Sequence, residues 1–285
     1  MSNILNAIHN LAETKITKLI EHYNNGSGNR VTNVGDALER YIQDLFANTL
    51  NEADEEQRNI KISKIFSYQG NTTNPPDSML MNGDAIEVKK IESHSASLAL
   101  NSSFPKQKLF NDDSRITPAC KTCEDWTEKD IIYAIGHTNK KEVKHLWLVY
   151  GSCYCADRSI YENIANKITS GIESIPNVEL AKTNELARAN KVDPLGITYL
   201  RVRGMWGIEH PSKVFKYIYT KDELASFSLT CIMTKEKFES FSKEDRELVL
   251  SSSLVKTIEK KIKNPDNPAN LIDAILITLD LYKWR

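Results

Sequence analysis

The chain has 285 residues, enough to bury a full core as one large α/β domain or two small ones. Its 40% apolar and 26% charged content is that of an ordinary globular protein, and no apolar run approaches the roughly 20 residues that a membrane-spanning helix needs. A formal net charge of −1 excludes a uniformly basic surface, so any contact with a polyanion must come from charge segregated on one face. The start, from Met1 to Ile8, lacks the basic residues and apolar stretch of a signal peptide. Five cysteines, an odd number, in a chain without an export signal predict reduced thiols and a cytoplasmic home.

Ile4, Leu5, Ile8, Leu11, Ile16, Leu19 and Ile20 fall at helical spacing and predict an amphipathic helix over residues 3–23. Asn24 to Arg30 reads as a loop rich in Asn, Gly and Ser. A second helix is predicted over 34–50, with Leu38, Ile42, Leu45 and Phe46 as its buried stripe. Glu39 lies near its start, and Asp36 suits the positive end of the helix dipole. Residues 61–68 read as a strand leading into the stretch that organises the rest.

That stretch is Pro75 to Glu92. Asn82-Gly83 between two short apolar runs predicts a β-hairpin. Glu87 and Lys89, two apart on the second strand, must share a face. With a two-residue loop, Asp77 would pair with Val88 and face away from Glu87. A three-residue loop, Met81-Asn82-Gly83, puts Asp77 opposite Glu87 instead, and the bulged turn that makes such a loop wants glycine at its last, left-handed position. We therefore expect the three-residue loop, with Gly83 left-handed.

Two carboxylates brought together with a lysine alongside suit phosphodiester hydrolysis. Their mutual repulsion is relieved by a hard divalent cation such as Mg²⁺, which takes one or two carboxylates and leaves room for water and phosphate oxygens. Asp77 and Glu87 are the expected ligands, the Val88 carbonyl a further one, and Lys89 the group that orients the attacking water.

Pro76-Asp77 followed by Glu87-Val88-Lys89 resembles the PD-(D/E)xK nuclease superfamily. Phe66 to Asn71, Asn74 to Asp77, Asn82 to Ser93 and Gly35 to Glu39 are similar, more closely, to the NgoPII family of type II restriction endonucleases. The likeness continues through Cys120 to Glu124, Leu146 to Gly151 and Arg201 to Trp206. It implies one α/β (α+β) restriction-endonuclease-like domain over 1–285, a mixed central sheet flanked by helices, with the catalytic hairpin at 61–93. It also implies a Mg²⁺-dependent endonuclease that cuts double-stranded DNA at GGCC and leaves 5′-phosphate ends. A homodimer in the bacterial cytoplasm, a cognate methyltransferase acting on the same site, and Glu39 joining Asp77, Glu87 and Lys89 as a catalytic residue follow from the same likeness.

DNA contacts are expected from 94–125 and 196–220. Ser102, Ser103, Lys106 and Lys108 offer hydroxyls and ammonium groups for phosphates, or form a polar surface loop. Arg201 and Arg203 share a strand face and would read guanine or phosphate, or pair with surface acids. The Asn24–Arg30 loop reads as a solvated linker or as an arm around DNA. Trp206 and His210 read as turn packing, and His94 as a loop residue rather than a general base. Cys120, Cys123, Cys153 and Cys155 offer four thiols for a structural Zn²⁺, but their spacing is not standard and plain buried cysteines are the preferred reading.

Of the remaining elements, helices are predicted at 126–136, 157–170, 235–241 and 242–263, the last with a lysine-rich end. Strands are predicted at 144–151, 196–203, 213–220 and 227–233. Residues 171–195 carry no clear pattern, and 271–284 reads as helix or strand. A repair or recombination nuclease of the same superfamily, and a zinc-stabilised DNA-binding protein without catalysis, are the competing functional readings.

Overall fold

The computed structural model describes residues 2–19, 30–71, 74–93, 95–139, 141–183 and 185–282, with the side chains of 30–36 outside that description. The Asn24–Asn29 loop, His94 and the side chains of Arg30 and Asp36 therefore lie outside the described residues.

Helix α1 (Ile4–Thr14) starts at Asn3, whose side chain accepts from the backbone N–H groups of Leu5 and Asn6 while Asn6 returns the bond in a capping box. It ends well before residue 23 because Lys15 turns left-handed at φ 55°. The apolar spacing nevertheless continues, since 17–19 run extended beside another strand: Leu19 N–H donates to Lys141 O (2.7 Å) and Val143 N–H to Thr17 O (2.9 Å). Helix α2 (Arg30–Ala47) buries Leu38, Ile42, Leu45 and Phe46 as expected.

Helix α3 (Glu55–Ile65) occupies much of the segment expected to be strand. Asp54 caps it and Glu55 and Glu56 complement its dipole, local signals that outweigh the apolar alternation further on. The buried pair Arg58 and Asp44 (2.7 Å), with Thr49 also donating to Asp44, ties α3 to α2. Because removing one partner strands the other charge, Arg58→Ala should cost about 3–5 kcal/mol of unfolding free energy, measurable by urea denaturation.

The chain then forms β1 (Phe66–Asn71), β2 (Asn74–Leu80), β3 (Ala85–Ile91), β4 (Leu98–Asn101) and β5 (Lys108–Phe110), followed by the short α4 (Pro118–Thr122). The predicted helix at 126–136 is instead strand β6 (Glu128–Asn139). Its centre, Ile131-Ile132-Tyr133-Ala134-Ile135, is buried on both faces, and a β-branched run covered on both sides is a central strand. Strand β7 (Glu142–Tyr150) and helix α6 (Arg158–Glu173) sit where expected, with α5 (Gly151–Tyr154) between them.

Residues 175–208 contribute β8 (Glu179–Leu180), β9 (Ala187–Asn190), β10 (Leu200–Val202) and β11 (Trp206–Ile208). In place of a strand at 213–220 the chain makes α7 (Pro211–Val214) and turns, because His210 caps the helix and Pro211 presets its first position. Strand β12 (Phe227–Thr234) and α8 (Lys235–Ser240) match expectation. The long helix expected over 242–263 splits into α9 (Lys243–Leu250), capped by Ser242, and strand β13 (Val255–Lys263). The lysine-rich segment is thus an edge strand, where charge discourages pairing with another chain. Strand β14 (Leu271–Leu281) completes the chain.

Among the described residues, eight strands form one mixed sheet in the order β1-β2-β3-β6-β7-β12-β14-β13, with β5 added beside β6. The β3–β6 and β7–β12 pairs are parallel and the other neighbours antiparallel. Helices cover both faces. Residues of α1, α2, α3, α8 and α9 pack with Leu80, Ile86 and Val88, while Met79, Ala85 and Ile91 face the opposite layer with α4, α5 and Phe215. Strands β8–β10 form a separate three-stranded sheet, and β4 pairs with β11. No helix among the described residues is long and apolar enough to cross a membrane.

Candidate active site

The β2–β3 hairpin pairs Ser78 with Ile86 and Met79 with Ala85. Leu80 N–H donates to Asp84 O (3.0 Å) and Gly83 N–H to Leu80 O (3.0 Å), so the loop is the three residues Met81-Asn82-Gly83. Continuing the register one pair beyond Ser78 and Ile86 sets Asp77 across from Glu87. The expectation for the turn itself needs one correction: Asn82, at φ 53°, is the left-handed residue, and Gly83 is not. Asparagine tolerates that conformation, and glycine follows because a Cβ on Gly83 would sit 3.0 Å from the Leu80 Cβ.

The tip of the hairpin is clamped from several sides. Asn82 N–H donates to Glu124 (2.9 Å), Lys129 donates to Gly83 O (2.6 Å), and Glu124 and Lys129 are themselves ion-paired. Asp84, buried one residue on, accepts from Tyr150 OH (2.6 Å) and from Lys237 (2.6 Å), which also reaches Asp130 (2.7 Å). None of these supports was legible in the sequence, since Lys129 lay in a segment read as helix and Lys237 is distant in the chain. Beneath Asp77, Gly70 lets β1 come close: a Cβ there would meet Pro76 O at 2.4 Å and the Asp77 Cα at 3.1 Å.

Asp77 accepts a hydrogen bond from Val88 N–H (2.6 Å). Lys89 Nζ stands 2.6 Å from Glu87 Oε1, with those side chains 25% and 13% exposed. The other Glu87 oxygen, Oε2, is buried without a hydrogen-bond partner among the described residues. Burial, and then the Glu87 charge, push the Asp77 carboxyl well above the usual carboxylate range, against the pull of Lys89 and the Val88 N–H. Burial works against the Lys89 ammonium, but Glu87, Asp77 and the hydrogen bond to Glu87 together raise its pKa, so it keeps its proton at neutral pH. Glu39, on α2, adds negative charge felt at both Asp77 and Lys89.

Two acids strained by each other's charge, one with an uncommitted buried oxygen, match what a hard divalent cation relieves. Among the described residues no group of three or more His, Cys, Asp or Glu side chains is placed to hold a metal ion. Asp77 and Glu87 are the two carboxylates here that could hold such a cation, with positions left for water and phosphate oxygens.

Cys120, Cys123, Cys153 and Cys155, considered as a zinc tetrad, are likewise not gathered into such a group among the described residues. Cys120 Sγ contacts Met79 Sδ at 3.5 Å, Cys123 Sγ bonds to Cys120 O at 3.2 Å, and Cys153 and Cys155 are buried beside α5. Burial pushes the thiols of Cys120, Cys153 and Cys155 up to about 12.

The expected DNA contacts are placed unevenly. Lys106 is only 4% exposed, ion-paired with Asp113 and set over the Phe104 ring, so it supports the fold from within. Lys108 pairs with Glu128 (2.6 Å) at the surface. Ser102 and Ser103 follow β4, and the Ser103 hydroxyl is buried. Arg201 and Arg203, half exposed or more, converge on Glu185 at 2.6 and 2.9 Å. Trp206 packs edge-on against Phe104 and Tyr161, and His210 caps α7.

Residues 2–264 match the family described as NgoPII restriction endonuclease. The type II restriction enzyme NgoPII of Neisseria gonorrhoeae is 51% identical over 280 residues, covering 98% of this chain and all of that protein. No solved structure matches. The chain belongs to the NgoPII restriction endonuclease family and is a type II restriction enzyme, an endonuclease that cleaves DNA.

Proposed function

We propose that the enzyme hydrolyses double-stranded DNA at GGCC with Mg²⁺ held by Asp77 and Glu87. The convergence of those two carboxylates with the Lys89 ammonium is the observation that carries this reading. A bound Mg²⁺ would neutralise charge on the scissile phosphate and acidify a water, leaving a 5′-phosphate and a 3′-hydroxyl. Asp77 and Glu87 hold the cation, with the Val88 carbonyl a further ligand and Glu39 adding negative charge from α2. Lys89, protonated, donates from Nζ to orient the attacking water and to stabilise charge developing on the phosphate.

Arg201 and Arg203 suit the guanines of such a site, since arginine binds guanine O6 and N7 bidentately. In the free protein Glu185 neutralises both. DNA must take its place, which penalises binding where no guanine or phosphate compensates. Lys108 and Ser102 remain as surface phosphate contacts. A palindromic target is read most simply by a two-fold homodimer. Supporting that state, α6 buries no residue and exposes Ile160, Ile164 and Ile168 along one side. The enzyme then works in the bacterial cytoplasm, opposite a methyltransferase that modifies the same site.

Unmethylated phage DNA incubated with the protein and Mg²⁺ should yield discrete fragments whose ends all derive from GGCC. Ends with another shared sequence would refute the target, and ends with none would point to a structure-specific nuclease.

A further inference from the structure

The active-site strand has a neighbour that neither composition nor family likeness assigns to it. Behind Glu87 lies a cavity of about 10 Å³, lined by Pro75, Leu100, Ser103, Lys106 and Tyr133 among others. Two of its lining side chains carry a buried oxygen without a hydrogen-bond partner among the described residues, Glu87 Oε2 and Ser103 Oγ. The other polar groups are committed: Lys106 Nζ to Asp113, and Tyr133 OH to the Lys106 backbone N–H at 2.7 Å. The turn that carries Ser103 is fixed by its N–H bond to Leu100 O (3.2 Å) and by Asn101 at φ 53°.

A cavity of about that size suits a single water, and a water needs polar partners on more than one side. A buried hydroxyl and a buried carboxylate oxygen on residues that line one such space can meet the condition, the hydroxyl donating and the carboxylate accepting. We infer that Ser103 is a positioning residue for Glu87, reaching Oε2 through one buried water, rather than a contact to the DNA backbone. Lys89 fixes Oε1 at 2.6 Å, and the Ser103 water fixes Oε2 from the other side. Glu87 is thereby held in one rotamer, while a second lone pair on Oε2 stays free for the cation. Groups that orient a ligating carboxylate are worth about 10–100-fold in metal affinity or activity.

This inference rests on the proposed role of Glu87, and the test separates the two. Mn²⁺ is titrated into the DNA-free protein and followed by electron paramagnetic resonance, alongside DNA affinity in EDTA and cleavage in Mg²⁺. Ser103→Ala should weaken Mn²⁺ binding about 10–100-fold and demand more Mg²⁺ for cleavage, with DNA affinity in EDTA and the thermal midpoint unchanged. Ser103→Thr, which keeps the hydroxyl, should recover at least part of the Mn²⁺ affinity. Wild-type Mn²⁺ affinity in Ser103→Ala, while Glu87→Ala loses it, would overturn the positioning role alone. Weakened DNA binding in EDTA with unchanged Mn²⁺ affinity would make Ser103 a DNA contact instead. Unchanged Mn²⁺ binding in Glu87→Ala would overturn the underlying assignment.

Discussion

Replacing Lys89 by alanine should lower the cleavage rate by at least about 10²–10³-fold, the scale on which a preorganised donor contributes to a charged transition state. The raised pKa of this lysine decides how it acts. Burial alone would discharge it, but Glu87 and Asp77 keep the ammonium intact, which suits the proposed role of a fixed donor and not that of a base taking the water's proton. Lys89→Ala should therefore still bind its site in Ca²⁺, and single-turnover cleavage beside a binding isotherm separates the effects. Full cleavage by this variant would refute the assignment. Lys89→Arg keeps the charge but widens the head group, and should recover little of the rate because its planar fork does not fit where a point charge stood.

Asp77→Asn should also remove cleavage, by about 10³-fold or more, while making the metal-free protein more stable. The sign follows from the raised carboxyl pKa. The folded state binds the Asp77 proton more tightly than the unfolded chain, whose aspartate titrates near 4. The stabilising contribution is full below that value and is lost as pH rises through the higher folded one, so at neutral pH the Asp77 carboxyl lowers the stability of the folded hairpin. Asparagine removes the charge and keeps an oxygen that can accept from Val88 N–H. The thermal midpoint of Asp77→Asn in EDTA at pH 7 should exceed that of the wild type, and the gap should close at acidic pH and on adding Mg²⁺. A lower midpoint in EDTA would show that Asp77 supports the fold rather than loading it.

The hairpin was legible because parity is a strong constraint: once the loop length is set, every side chain on both strands is assigned a face. The loop length was read from Asn82-Gly83, yet the roles of the two residues were exchanged, since both tolerate tight turns and only packing against Leu80 tells them apart. Strand β6 was misread because a continuous apolar run has no period to distinguish a buried strand from a buried helix. Strand β13 was misread for a related reason. A helix cap at Ser242 was real, but nothing local marked the end of that helix at Leu250, and the lysines beyond it fit a helix terminus as well as an edge strand. Among the candidate site residues, sequence neighbours with matched chemistry separated sharply: Lys106 went inside to Asp113, while Lys108, two residues on, stayed at the surface.

The salt bridge from Lys237 to Asp84 has a consequence for how the cell makes this enzyme. Asp84 sits beside the hairpin loop, in the first third of the chain, but its counter-cation comes from α8, late in the chain. A nascent polypeptide still on the ribosome has the reactive acids and lysine yet lacks the cation that neutralises the acid beneath them, and an unpaired buried charge disfavours the folded hairpin. The early-made hairpin is therefore fully neutralised only once the late-made α8 is in place.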